Sequence, residues 1–143
     1  MLKVLIVDDE QGNREFLLHV LKAHAQCVAV GTGEAALNEH RRALLAEAPF
    51  AVVFLDIMLP GIDGLKTLEL LRAVEDEFEL PESARALVIV TTVLDDHQSA
   101  ARAFMQGNAA SFMTKPFQAR QIREELAKLG LIPCPCWPQN VAE

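Results

Sequence analysis

Phe50-Ala51-Val52-Val53-Phe54-Leu55-Asp56 is apolar for six residues and then stops on a carboxylate. A run of that length is the size of a strand, and one that is apolar at successive rather than alternating positions belongs in a sheet covered on both faces. Working outward, Lys3–Val7, Cys27–Val30, Leu87–Thr91 and Ser111–Thr114 are further strand-sized runs. Between them lie segments of helical period: Asn13–His24, with Phe16, Leu17, Val20 and Leu21 on one face, then Gly33–Glu47, Gly64–Val74, Asp95–Gln106 and Gln118–Leu129. Strands that alternate with helices predict a parallel α/β fold of five strands and five helices. Gly31-Thr32-Gly33 lacks the Gly-Lys-Ser/Thr of a phosphate loop and reads as the turn that starts the second helix. The Glu-rich segment Glu75–Arg85, with Pro81 inside it, is expected as a surface loop or frayed helix extension, too acidic to bury. After Leu129 the text changes to Gly130, Pro133, Pro135 and Pro138, so residues 1–129 are expected as one domain and 130–143 as a tail or the start of a linker.

Composition supports one globular domain. The chain has 143 residues, 51% hydrophobic and 23% charged. Twenty acidic against thirteen basic side chains give a charge of −7, which repels a phosphate backbone and argues against direct nucleic-acid binding. The same balance suits a cation or a basic partner. The apolar runs fall far short of the roughly 18 residues of a membrane helix. Cys27, Cys134 and Cys136 make no disulfide framework, no secretory signal precedes Lys3, and a cytoplasmic location is expected. Cys134 and Cys136 lack a third or fourth ligand for a soft metal. His19, His24, His40 and His97 have no metal spacing and are expected at the surface.

In an open parallel sheet, ligands bind beyond the carboxyl ends of the strands, so the residue that follows each run is the informative one. The first strand ends in Asp8-Asp9-Glu10, the third in Asp56, the fourth in Thr91-Thr92 and the fifth in Lys115-Pro116. A lone Asp at a strand end is most often a turn former or helix cap. Three carboxylates, a hydroxyl and an ammonium at the ends of four strands are a different matter. Clustered carboxylates repel one another, and a hard divalent cation with oxygen ligands, Mg²⁺ above all, removes that repulsion. A carboxylate can then attack phosphorus to give an aspartyl phosphate whose charge is met by the metal, a lysine and a threonine.

Val4-Leu5-Ile6-Val7-Asp8-Asp9-Glu10, Leu55-Asp56-Ile57-Met58-Leu59-Pro60-Gly61-Ile62-Asp63-Gly64 and Thr114-Lys115-Pro116-Phe117 resemble the receiver domain of two-component response regulators, over about residues 2–129. The resemblance implies a flavodoxin-like fold, a doubly wound five-stranded parallel sheet of order 2-1-3-4-5 flanked by five helices. It implies Asp56 as phosphoacceptor, Asp9 as direct metal ligand, Asp8 as the neighbour that holds metal-bound water, and Met58 as the donor of a backbone carbonyl. Lys115 matches the lysine that contacts the phosphoryl group, and Phe112 the aromatic switch position, where a plain core Phe is the competing reading. Thr92 aligns best as the phosphoryl-binding hydroxyl, with Thr91 the alternative that strand alternation leaves open. Three features depart from the family pattern: Val93 stands where a small residue is common, the Gly107–Lys115 interval is one residue longer, and Glu75–Arg85 is inserted before the fourth strand.

The function so implied is a phosphorylation-dependent switch. A sensor histidine kinase or histidine phosphotransfer protein donates to Asp56. The face formed by the fourth helix, fifth strand and fifth helix then binds a downstream protein effector or a second copy. Such a domain assists its own phosphorylation and dephosphorylation but is a signalling module rather than a metabolic enzyme. The alternative is a phosphorylation-independent interaction module. An aspartyl-nucleophile hydrolase of the haloacid dehalogenase type is disfavoured, because Met58 stands where its second Asp is required. No helix-turn-helix or cyclase pattern is visible, so output is expected through protein contact or through a longer protein.

Overall fold

The computed structural model describes residues 2–93 and 109–132. The helix expected over 95–106, and the tail with Cys134 and Cys136, lie outside the described residues. The elements run β1 (Leu2–Val7), α1 (Gln11–Leu21), β2 (Ala25–Val30), α2 (Gly33–Leu45), β3 (Val52–Asp56), α3 (Gly64–Glu77), a 3-10 turn (Glu82–Ala84), β4 (Leu87–Thr92), β5 (Ser111–Thr114) and α4 (Ala119–Lys128). The five strands form one parallel sheet of order β2-β1-β3-β4-β5, as expected.

Strand alternation divides the apolar residues into two cores. Leu5, Val7, Val53, Leu55, Val88 and Val90 pack with Ala36, Ala43, Leu68 and Leu71 beneath α2 and α3. Val4, Ile6, Val52, Phe54, Ile89 and Met113 pack with Leu17, Leu21, Ile122 and Leu126 beneath α1 and α4. Helices therefore cover both faces, which is why β3 is apolar from Val52 to Leu55.

The turn after β3 depends on two glycines. Gly61 has φ +74°, the left-handed region that favours glycine. A Cβ on Gly64 would overlap the Asp56 carbonyl and Ile57 Cα. Asp63 then caps α3 by accepting the Lys66 N–H at 2.8 Å. Thr32 caps α2 in the same way through the Ala35 N–H, so the Gly31–Gly33 turn starts that helix as expected.

Two expectations are corrected. The Glu75–Arg85 segment begins inside α3, and Glu75 is completely buried rather than solvated. His40, expected at the surface, is 1% exposed on the inner face of α2. The reason is mutual. Glu75 accepts from Arg72 Nη1 at 2.8 Å and from the Ala86 N–H at 3.0 Å, and His40 Nε2 lies 3.3 Å away. A buried carboxylate is tolerated when its oxygens are matched in this way.

Candidate functional site

Asp8, Asp56 and Lys115 stand at the carboxyl ends of β1, β3 and β5 and meet there. Lys115 Nζ lies 2.9 Å from Asp56 Oδ2 and 2.9 Å from Asp8 Oδ2. Carboxylate oxygens of Asp8, Asp9 and Asp56 all fall within 4.8 Å of one another. Asp8 and Asp56 are buried, and Asp9 is exposed at the rim. The inner oxygens are held by local turns: Asp8 Oδ1 accepts the Glu10 N–H at 2.9 Å, and Asp56 Oδ1 accepts the Met58 N–H at 3.0 Å. The Lys115 N–H donates to the Thr92 carbonyl at 2.6 Å, which fixes the lysine to the end of β4.

Burial pushes the Asp56 carboxyl above its ordinary pKa, against the hydrogen bond from Lys115 and that from Met58. Burial also works against the Lys115 ammonium, but Asp8 and Asp56 outweigh it and hold its pKa above the usual value. The Lys115 ammonium pairs with two of the three carboxylates, and no salt bridge among the described residues reaches Asp9. Asp8 Oδ2 is buried without an aligned hydrogen bond although the ammonium is near. An all-oxygen donor set with an unsatisfied buried oxygen fits a hard cation such as Mg²⁺.

Beside the cluster an open groove of about 590 Å³ is lined by Asp9, Met58, Leu59, Pro60 and Asp63, among others. Met58 is 61% and Val93 43% exposed, so two of the three exposed large hydrophobics among the described residues stand at the ends of β3 and β4 beside Asp56.

The two threonines differ in face. Asp56 is in register with Thr91, and both share the parity of Phe54 and Ile89 on the α1 and α4 side. Thr92 has the parity of Val88 and Val90, and its hydroxyl donates to the Val93 carbonyl at 3.0 Å. Phe112 is paired with Val90 and packs, half-buried, against the core beneath α2 and α3. One neighbour of the site escaped the sequence reading: Arg14 Nη1 donates to the Asp8 main-chain carbonyl at 2.7 Å. A basic residue in the first turn of α1, close behind the Asp pair, is the signal that could have found it.

The chain belongs to the response regulator receiver domain family, whose model matches residues 4–127. It is 31% identical over 122 residues to the heme response regulator HssR of Staphylococcus haemolyticus, covering 85% of this chain and 48% of that protein. It is 35% identical over 134 residues to the response regulator protein FleR of Pseudomonas aeruginosa, covering 92% of this chain and 25% of that protein. The chain thus spans about half the length of the first and a quarter of the second. Among solved structures, the response regulator TrrA of Thermotoga maritima, in complex with Mg²⁺ and BeF, is similar with a TM-score of 0.69 and 26% identity, over 90% of this chain and 99% of that one. No helix among the described residues is long and apolar enough to cross a membrane.

Proposed function

We propose that this receiver takes a phosphoryl group on Asp56 from a phosphohistidine of a sensor histidine kinase or histidine phosphotransfer protein. The observation that carries the reading is the convergence of Asp8, Asp9 and Asp56 with Lys115 at one sheet edge. An Asp56 carboxylate oxygen attacks phosphorus, the bond from phosphorus to the donor imidazole breaks, and the imidazole leaves as its neutral form after taking a proton. Lys115, already on Asp56, turns to the new phosphoryl oxygens and offsets their charge. Asp8, Asp9, Asp56 and the Met58 carbonyl would hold Mg²⁺, which supplies charge neutralisation at the phosphoryl oxygens.

The hydroxyl comes from the end of β4. Thr92, the last residue of β4, is the proposed donor, with Thr91, which is in register with Asp56, as the alternative. Phe112 is the proposed reporter of the switched state. Phosphorylation would bias the face formed by β5 and α4 toward a downstream protein effector or a second copy, in the cytoplasm and without direct nucleic-acid contact by this domain.

Intact mass after incubation with Mg²⁺ and acetyl phosphate tests the reading. One added phosphoryl group, absent from Asp56→Asn and from the metal-free sample, is expected. No adduct, and no binding of fluoroberyllate, would overturn it in favour of a phosphorylation-independent interaction module.

A further inference from the structure

Arg14 stands in the first turn of α1, directly behind a cluster of carboxylates, yet its guanidinium goes to a carbonyl. Nη1 donates to the Asp8 main-chain oxygen at 2.7 Å. The side chain is half-buried in the corner between the end of β1 and the turn from β2 to α2. There a Cβ on Gly31 would stand 3.3 Å from Nη1 and 3.9 Å from the same carbonyl oxygen. The other groups of Asp8 are committed too: its N–H donates to the Val30 carbonyl at 3.1 Å, and Oδ1 accepts from Glu10. Oδ2 alone is left without an aligned hydrogen bond, and it belongs to the acidic cluster.

We infer that Arg14 is a positioning residue for the cation site: by holding the Asp8 carbonyl, with Gly31 leaving it room, it fixes the peptide between Asp8 and Asp9 and so presents both carboxylates to the metal. The inference rests on the reading that the cluster binds Mg²⁺. A peptide unit is planar, so pinning its carbonyl sets the direction in which Asp9 departs. A hydrogen bond from a charged donor is the stronger kind and suits that task. Groups that orient metal ligands in this way commonly account for about 10- to 100-fold in affinity.

The sign of the effect separates positioning from simple charge. A cationic side chain that acted only through space would repel Mg²⁺, and its removal would tighten binding. Positioning predicts the reverse. Calorimetric titration of the full chain with Mg²⁺ tests this, with circular dichroism to follow folding. Arg14→Met, which keeps most of the stem, is expected to weaken binding about tenfold, and Arg14→Lys to recover part of the loss.

Gly31→Val leaves every hydrogen-bonding group in place but fills the guanidinium's corner, so it should weaken binding similarly. The double variant should be no worse than either single, because both remove one contact. Unchanged or tighter binding in Arg14→Met overturns the inference, as do additive losses in the double. If Arg14→Met does not fold, Gly31→Val decides: wild-type affinity in that variant overturns the inference. A wild-type chain with no Mg²⁺ binding that Asp9→Asn removes would instead overturn the metal reading itself.

Discussion

At the carboxyl ends of β1 and β3, Asp8 and Asp56 share a single ammonium, whereas near the amino end of β4 Glu75 has Arg72, the Ala86 N–H and His40 to itself. Both clusters are buried in one small domain, and each puts carboxylates where water cannot reach them freely. The difference lies in the carboxylate oxygens: both of Glu75's accept aligned hydrogen bonds although His40 beside it makes none, whereas Asp8 Oδ2 accepts none. Arg72 and Glu75 together clamp both polar groups of Ala86, since Arg72 Nη1 also donates to the Ala86 carbonyl at 2.8 Å. That cluster ties α3 and the inner face of α2 to the start of β4, and it has no vacant oxygen to offer. The sheet edge around Asp56 is left short of positive charge, and a ligand can supply it. Buried charge marks a binding site when it is under-compensated, and a structural joint when it is not.

The sharpest way to break this comparison is to remove a carboxylate from each side. Glu75→Ala strands the Ala86 N–H and removes the carboxylate beside His40, and should cost about 3 kcal/mol in urea unfolding. Glu77→Ala is the control a few residues on. Its pair with Arg41 is solvent-exposed, and losing it should leave the unfolding midpoint unchanged. A small effect of Glu75→Ala would mean that the saturated cluster is ornamental.

Acid sharpens the contrast, because the two carboxyls are shifted in opposite directions. Burial pushes Glu75 up, but His40 at 3.3 Å and the hydrogen bonds from Arg72 and the Ala86 N–H outweigh it and hold its pKa below the ordinary value. A depressed folded pKa means stability that is present above the unfolded value and lost as pH falls through the folded one. The gap between wild type and Glu75→Gln should therefore be full at pH 7 and close below about pH 4.3. Asp56 is raised, so its ionised form costs stability at neutral pH, and protonation relieves that cost as pH falls through the raised value. Thermal melts of both variants across pH 3–8 read the two trends together, and parallel trends would refute the distinction.

The opposite sign should also appear at neutral pH without metal. Asp56→Asn removes one of three crowded carboxylates and keeps a hydrogen-bond acceptor for the Met58 N–H. It should stabilise the domain, by on the order of 1 kcal/mol. Mg²⁺ should then stabilise wild type in a concentration-dependent way and the variant much less. Destabilisation by Asp56→Asn in metal-free buffer would show that Asp56 serves the fold.

What could be read from the residues alone follows the same division. Asp8, Asp9, Asp56 and Lys115 were legible because strand ends in a parallel sheet face one edge, so sequence position translates directly into place. Glu75 and His40 were not, because their compatibility with burial depends on partners that only tertiary contact supplies: a main-chain N–H eleven residues on, and each other across 35 positions. A weak signal existed. Glu75 falls on the helical stripe of Leu68 and Leu71, and His40 on that of Ala36 and Ala43. At these two positions helical periodicity outweighs side-chain polarity. Thr91 and Thr92 stay alternatives on the residues alone, since they lie on opposite faces and a shift of one residue exchanges them.

The smallest effect concerns the rim of the site. Val93 and Met58 are exposed apolar side chains just beyond the ends of β4 and β3. Hydrolysis of an aspartyl phosphate requires a water in line with the bond from phosphorus to Asp56, and apolar bulk at the opening lowers the chance of one being held there. Val93→Ala should therefore shorten the lifetime of the phosphorylated form by roughly a few-fold, read as the decay of the mass adduct after the phosphodonor is removed. On the proposed mechanism the rate of its formation from acetyl phosphate would depend on Asp56, Lys115 and the metal, and should change less. Equal changes in formation and decay would point to a displaced β4 end, with Thr91 and Thr92 moved together, rather than to altered water access.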